Sequence, residues 1–322
     1  MAAIAAGRAF RVSVLIGMLG LASTVIVISR LLRSWQLTAH PGSHVVSVLG
    51  LQLSYPSANP GAIIVTVLSG LGLAMATAAV WGIARELLAN RGFTRALAAR
   101  APRPLPGVRG AFVIDDPHPK AFCAGLLRPR VYFSTCTLEL LDESALDAVL
   151  AHERHHARRR DPLRLAYGRA LVAALFPLPA VRRLVRRQQA LTEIGADEAA
   201  MLGAGVDPSA LASAMLSFSQ SAGADSIGID PERVDYLLGE RIEWRLPLVL
   251  CVGIAAALSV PVAVAMLLAA NGAAASATLA PPLLSNRPCI AIVALLATSV
   301  ALAGVAYVRS RRAKQALAAS QT

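Results

Sequence analysis

The chain has 322 residues, of which 56% are hydrophobic and only 16% charged, with a mean hydropathy of +0.57 and a net charge of +12. An ordinary soluble domain carries about 25% charged residues, so this composition excludes one and points to the membrane. All 19 acidic residues fall within 85–245, where 22 Lys and Arg leave a net charge of only +3. The other 9 basic residues flank apolar segments, so no direct nucleic-acid binding is expected.

Four windows, 12–32, 61–84, 246–270 and 289–308, are apolar enough to cross a bilayer, which takes roughly 20 helical residues. The first reads as a retained anchor: it is too long for a signal-peptide core, lacks an A-x-A site at its end, and runs into Arg30 and Arg33. Segment 34–60 has no Lys or Arg and 271–288 has only Arg287, whereas the amino terminus, 85–245 and 309–314 are basic. The positive-inside rule therefore places both termini and the 85–245 domain in the cytoplasm, with two short loops outside.

The expected fold class is a mainly α membrane protein in which four transmembrane helices hold a cytoplasmic α+β domain between spans 2 and 3. Its parts are 1–84 (two spans and a short external loop), 85–245 (the cytoplasmic domain), 246–308 (two spans) and a basic tail, 309–322. Membrane lipid is an expected partner. Cys123, Cys136, Cys251 and Cys289 show no metal-ligand spacing and read as small apolar residues.

Within 85–245 the chain opens with a basic helix, 85–99, and a proline-rich linker, 102–106. Two β-branched or aromatic runs, 110–114 and 130–134, predict a small sheet or hairpin, with Ala121, Phe122, Cys123, Ala124 and Gly125 between them. Asp142 is placed to cap a helix whose stripe of Leu146, Val149 and Leu150 leads into His152-Glu-Arg-His-His156. Asp161-Pro162 reads as the cap and first residue of another helix. The apolar stretch 170–180 is too short to span and is broken by Pro177 and Pro179. It is a core helix or lies at the membrane surface, as Arg182, Arg183, Arg186 and Arg187 favour. A helix over 181–201 then carries Glu193 and Asp197.

His152 and His156 lie one helical turn apart on the same face, so both imidazoles can reach one zinc ion. Glu153, next to the first ligand, is placed to act as general base on water bound at the metal's open site and then to protonate the departing amine. A catalytic zinc needs a third protein ligand. Glu193 is the candidate, and Asp197 one turn later can accept a hydrogen bond from a ligand imidazole. A bare H-E-x-x-H also occurs as surface decoration beside arginines; the downstream acid pair is what favours catalysis. His155 points off the ligand face. Tyr167 and Tyr236 are candidates to stabilise an oxyanion, with packing as the alternative.

Together with Gly125-Leu-Leu-Arg-Pro-Arg-Val-Tyr-Phe-Ser134 and Arg160-Asp161, these motifs resemble the BlaR/MecR-type membrane metallopeptidases over roughly 111–235. The resemblance implies a gluzincin-like fold, one Zn2+ per chain, and a strand around 121–125 that borders the cleft and pairs with an extended protein or peptide substrate. It also implies regulated cleavage of a cytosolic protein such as a winged-helix repressor. The extracellular penicillin-binding sensor of the best-known members has no counterpart after 308, so beta-lactam sensing does not carry over. The leading expectation is thus a membrane-anchored zinc endopeptidase acting on a cytosolic regulatory protein. Its alternatives are a quality-control or prenyl-type protease of the HtpX or CAAX kind, and a non-catalytic membrane scaffold with structural zinc.

Overall fold

The computed structural model describes residues 2–34, 44–48, 51–55, 60–203, 207–221, 233, 235–236 and 248–270. Within them the protein is mostly helical. The described residues group into two compact units: the first lies within Met1–Val14, Ile83–Val172 and Leu178–Cys251, the second within Leu15–Gly82, Ala173–Pro177 and Val252–Thr322.

Among the described residues three helices are long and apolar enough to cross a membrane: α1 (Ala2–Ser34), α2 (Pro60–Ala99) and α8 (Leu248–Ala270), with apolar stretches Ala2–Ser29, Gly70–Ala99 and Leu248–Leu267. The fourth expected span, 289–308, lies outside the described residues. Helix α1 starts ten residues before the expected 12–32 window, and the alanines of its first turns, Ala2, Ala5, Ala6 and Ala9, are buried. The expected separate helix over 85–99 is instead the continuation of α2, which runs unbroken for 40 residues. No proline or capping signal separates the apolar part from the charged part. At 1.5 Å per residue α2 is about 60 Å long, twice the hydrocarbon thickness. In the expected external loop, β1 (His44–Val48) and β2 (Leu51–Tyr55) pair antiparallel from His44↔Tyr55 to Val48↔Leu51, a hairpin that the composition did not announce.

In the first unit, β3 (Arg103–Pro104), β4 (Ala111–Ile114), β5 (Ala121–Ala124) and β6 (Arg130–Ser134) form one sheet in the order β3-β4-β6-β5. The proline-rich linker thus supplies an edge strand, a place where Pro104 removes no needed ladder bond. β4 runs parallel to β6, and β5 pairs antiparallel with it. Period-two alternation sorts the side chains between the faces. Ala111, Val131 and Phe133 pack with Ala145, Val149 and Leu150 of α4 (Glu143–Arg159) and Ala214 of α7 (Pro208–Ser221). On the other face Ile114 and Ala124 meet Leu97 from the end of α2, flanked by Phe122 and Tyr132. Phe112, Tyr132 and Phe122 stack across the strands at 5.6 Å, and Phe93 meets Phe122 edge-on.

Asp116, just after β4, accepts hydrogen bonds from Arg100, from Lys120 at 2.8 Å and from the His118 backbone N–H at 3.0 Å. Burial alone would raise its carboxyl, but these donors hold it well below its ordinary value of 3.8. A depressed carboxyl stabilises the fold fully above pH 4 and loses that contribution as pH falls through the folded value. Asp116→Ala is expected to remove about 2 kcal/mol and flatten the acid limb of the stability curve, read by thermal unfolding between pH 2 and 5. An unchanged acid limb would contradict this account.

Short helix α3 (Thr135–Leu140) leads to α4, then α5 (Asp161–Ala174) and α6 (Pro179–Gly203). The 170–180 stretch is therefore two helix ends about a turn at 175–178, the break that Pro177 and Pro179 impose. The first turns of α1 dock on α6: Ala5, Ala6 and Ala9 bury against Leu191, and Ser13 Oγ donates to the buried Gln188 Oε1 at 2.9 Å. A Cβ on Gly195 would lie 3.1 Å from the Ala3 backbone, so any larger residue would push α1 outward by at least a few tenths of an ångström. Gly195→Val is expected to cost about 2 kcal/mol by overpacking, measured as a lowered unfolding midpoint.

Candidate metal centre

Helix α4 is capped as expected: Asp142 Oδ1 accepts from Ala145 N at 2.7 Å. Its inward stripe passes from Ala145 and Val149, in the core, to His152 and His156, both buried. The ligand face is therefore the continuation of the hydrophobic face, which is why the two imidazoles are dry while Arg158 and Arg160 are solvated. Residue Arg160 ends α4 with left-handed geometry (φ 53°) and turns the chain directly into α5. Asp161, expected as a cap, is the first residue of α5, and its buried carboxylate faces His156 Nδ1 at 3.0 Å. Helix α6 packs against α4 and carries Glu193 and Asp197 one turn apart on one face.

The two Nε2 atoms of His152 and His156 point at each other 3.1 Å apart. Glu193 completes the group, Oε2 lying 3.6 Å from His152 Nε2 and Oε1 3.7 Å from His156 Nε2. Behind the rings, His152 Nδ1 stands 2.8 Å from Asp197 Oδ1, a charged contact off the axis of a regular hydrogen bond, and His156 Nδ1 meets Asp161. With both Nδ1 atoms turned to carboxylates, the two Nε2 atoms converge on one point where a cation shared between them fits. Two nitrogens held at 2.0–2.1 Å by a tetrahedral ion stand roughly 3.3 Å apart, close to the separation observed. The donor set fits a divalent metal.

Electrostatics agree. Burial would lower His156, but Asp161 and Glu193 outweigh it and raise the imidazole to about 10; His152 is raised by Asp197 and Glu193 in the same way, against its own burial. Burial pushes Glu193 up, yet the two imidazoles hold it well below its ordinary range. These carboxylates make a field that draws positive charge to the Nε2 atoms. Glu153 differs: burial dominates and raises its carboxyl, the shift a general base needs. His155, half-buried beside Arg159, is lowered to about 4 and stays neutral.

His152, Glu153, His156, Asp161 and Glu193 open on a cleft of about 180 Å3, whose apolar wall is Phe122, Cys123, Pro162 and Leu165. Of the five expected substrate-binding residues, Phe122 and Cys123 line it. Ala121, Ala124 and Gly125 do not. Burial beside Glu153 pushes the Cys123 thiol to about 12, so it is an uncharged wall. Tyr167 is committed elsewhere, its hydroxyl donating to Ser13 O at 3.2 Å and its ring edge-on to Phe10.

Residues 90–233 match peptidase family M48. The matched region carries His152, Glu153, His156, Asp161, Glu193 and Asp197, and its last residue is Arg233. The match points to a metallopeptidase and is broader than the BlaR/MecR resemblance. Two residues that contact this cluster escaped sequence reasoning. Asp161 was visible but was read as a cap. Arg233 gave no signal, because the acid it pairs with lies 36 residues away.

Proposed function

We propose that the protein is a membrane-anchored zinc endopeptidase whose domain between the second and third spans cleaves a cytosolic regulatory protein. The observation that carries the reading is the meeting, in one cleft beside an edge strand, of three metal donors with a separate buried carboxylate. His152, His156 and Glu193 hold the ion, and Asp161 and Asp197 orient the two imidazoles. Zinc bound there supplies Lewis acidity toward a carbonyl and toward water. Glu153 takes a proton from the attacking water and passes it to the leaving amine. β5, at the sheet's edge, offers its backbone to an extended substrate, while Phe122, Pro162 and Leu165 exclude bulk water.

Three donors with an adjacent base favour catalysis over a structural site, which is usually closed by four protein ligands. Membrane anchoring is supported by three long apolar helices, and the lysine and arginine bias supports a cytoplasmic domain. A quality-control protease of the HtpX kind is equally compatible with the M48 match. The turn at 175–178 speaks against the extra span that this alternative needs. The deciding experiment incubates the purified full-length chain with a folded cytosolic regulator, such as a repressor encoded beside it, and with an unfolded protein, each with and without chelator. Chelator-sensitive cleavage at one site of the folded regulator is the expected result. Degradation of the unfolded protein alone favours the HtpX-like reading, and no hydrolysis by the zinc-loaded chain favours the scaffold.

A further inference from the structure

Asp197 is wholly buried on α6, one turn from Glu193. Arg233 reaches it with two bonds of 2.8 Å, Nε donating to Oδ2 and Nη2 to Oδ1. The third guanidinium nitrogen, Nη1, stands 3.4 Å from Glu193 Oε2. Both contacts fall on atoms that also face His152: Asp197 Oδ1 is the oxygen 2.8 Å from Nδ1, and Glu193 Oε2 is the oxygen 3.6 Å from Nε2. One planar cation therefore closes a ring with two carboxylates and a candidate metal ligand.

We propose that Arg233 is a positioning residue whose guanidinium fork locks Asp197 against His152 and engages one oxygen of Glu193, leaving the other as the single oxygen offered to the metal. A carboxylate free to rotate offers both oxygens to a divalent ion and fills the coordination position that hydrolysis needs. A fork holds the planes of its partners where a point charge does not. Asp197, accepting at both oxygens, cannot turn away from the imidazole behind which it sits. The inference deepens the metallopeptidase reading and rests on it.

The test uses the full-length chain in detergent, with Arg233→Lys and Arg233→Met beside the parent. Zinc dissociation constants come from competition with a chromophoric chelator, and the visible spectrum of the cobalt(II)-loaded protein reports coordination number. Both variants are expected to bind zinc about 10- to 100-fold more weakly, the range for groups that orient metal ligands. Both should also lose intensity in the cobalt band as a second carboxylate oxygen enters. Combining Arg233→Met with Asp197→Asn should weaken zinc little more than either change alone. Parent-like affinity and spectrum in either variant, rescue by lysine included, would overturn the clamp, as would strict additivity in the double variant. If Arg233→Met does not fold, Arg233→Lys, which keeps the charge, carries the comparison. A parent chain that binds no zinc removes the metallopeptidase reading itself, whereas zinc binding indifferent to residue 233 removes only the clamp.

Discussion

Glu153→Gln is expected to keep zinc bound at unchanged stoichiometry and to lower the cleavage rate by about three orders of magnitude, the scale of a lost general base. The amide matches the carboxylate in shape, so the cleft and its three donors persist. What disappears is the ability to accept a proton. Glu153 is suited to that task because burial raises its carboxyl, whereas Glu193, in contact with both imidazoles, is held ionised by them. Two glutamates in one cleft are thus driven apart, one to hold the metal and one to move protons. Metal content by elemental analysis and cleavage of a peptide substrate together check this. Turnover within tenfold of the parent would remove Glu153 from the mechanism.

The second large effect concerns metal and stability together. Free zinc at a thousandfold excess over its dissociation constant is expected to stabilise the parent by about 4 kcal/mol, raising the unfolding midpoint by roughly 10 °C. Chelator should reverse the shift. His156→Ala is expected to abolish it, because only two protein donors remain and the Asp161 carboxylate, 1% exposed, loses its imidazole partner. A zinc-induced shift of the same size in His156→Ala would show that the ion binds elsewhere. Asp116→Ala makes a control of similar burial: it should lower the midpoint while leaving the response to zinc intact, since Asp116 belongs to a separate cluster with Arg100 and Lys120.

Much of the site was legible before any fold was known, for a local reason. His152, Glu153 and His156 lie within a turn and a half of one helix, where spacing alone sets direction. Asp197 follows Glu193 by one turn for the same reason. Asp161 illustrates the limit: an aspartate before a proline is the ordinary signature of a helix start, and only the tight left-handed turn at Arg160 swings its carboxylate back to His156. The linker that became β3 and the charged helix that merged into α2 were misjudged because composition shifts were read as boundaries. A proline at a sheet edge and an uninterrupted run of helix formers need no such boundary.

The sequence by itself determined the apolar segments, the amphipathic stripe of α4, and the ligand pair that hydrogen-bonded helix geometry places on one face. All of these depend on periodicities of a few residues. The tertiary structure alone decided that α6 lies against α4 with Glu193 facing both imidazoles, that β5 rather than β4 or β6 occupies the sheet edge at the cleft, and that Arg233 returns to Asp197. Those contacts join residues tens of positions apart, and close packing of side chains, which no local pattern encodes, selects which distant groups meet.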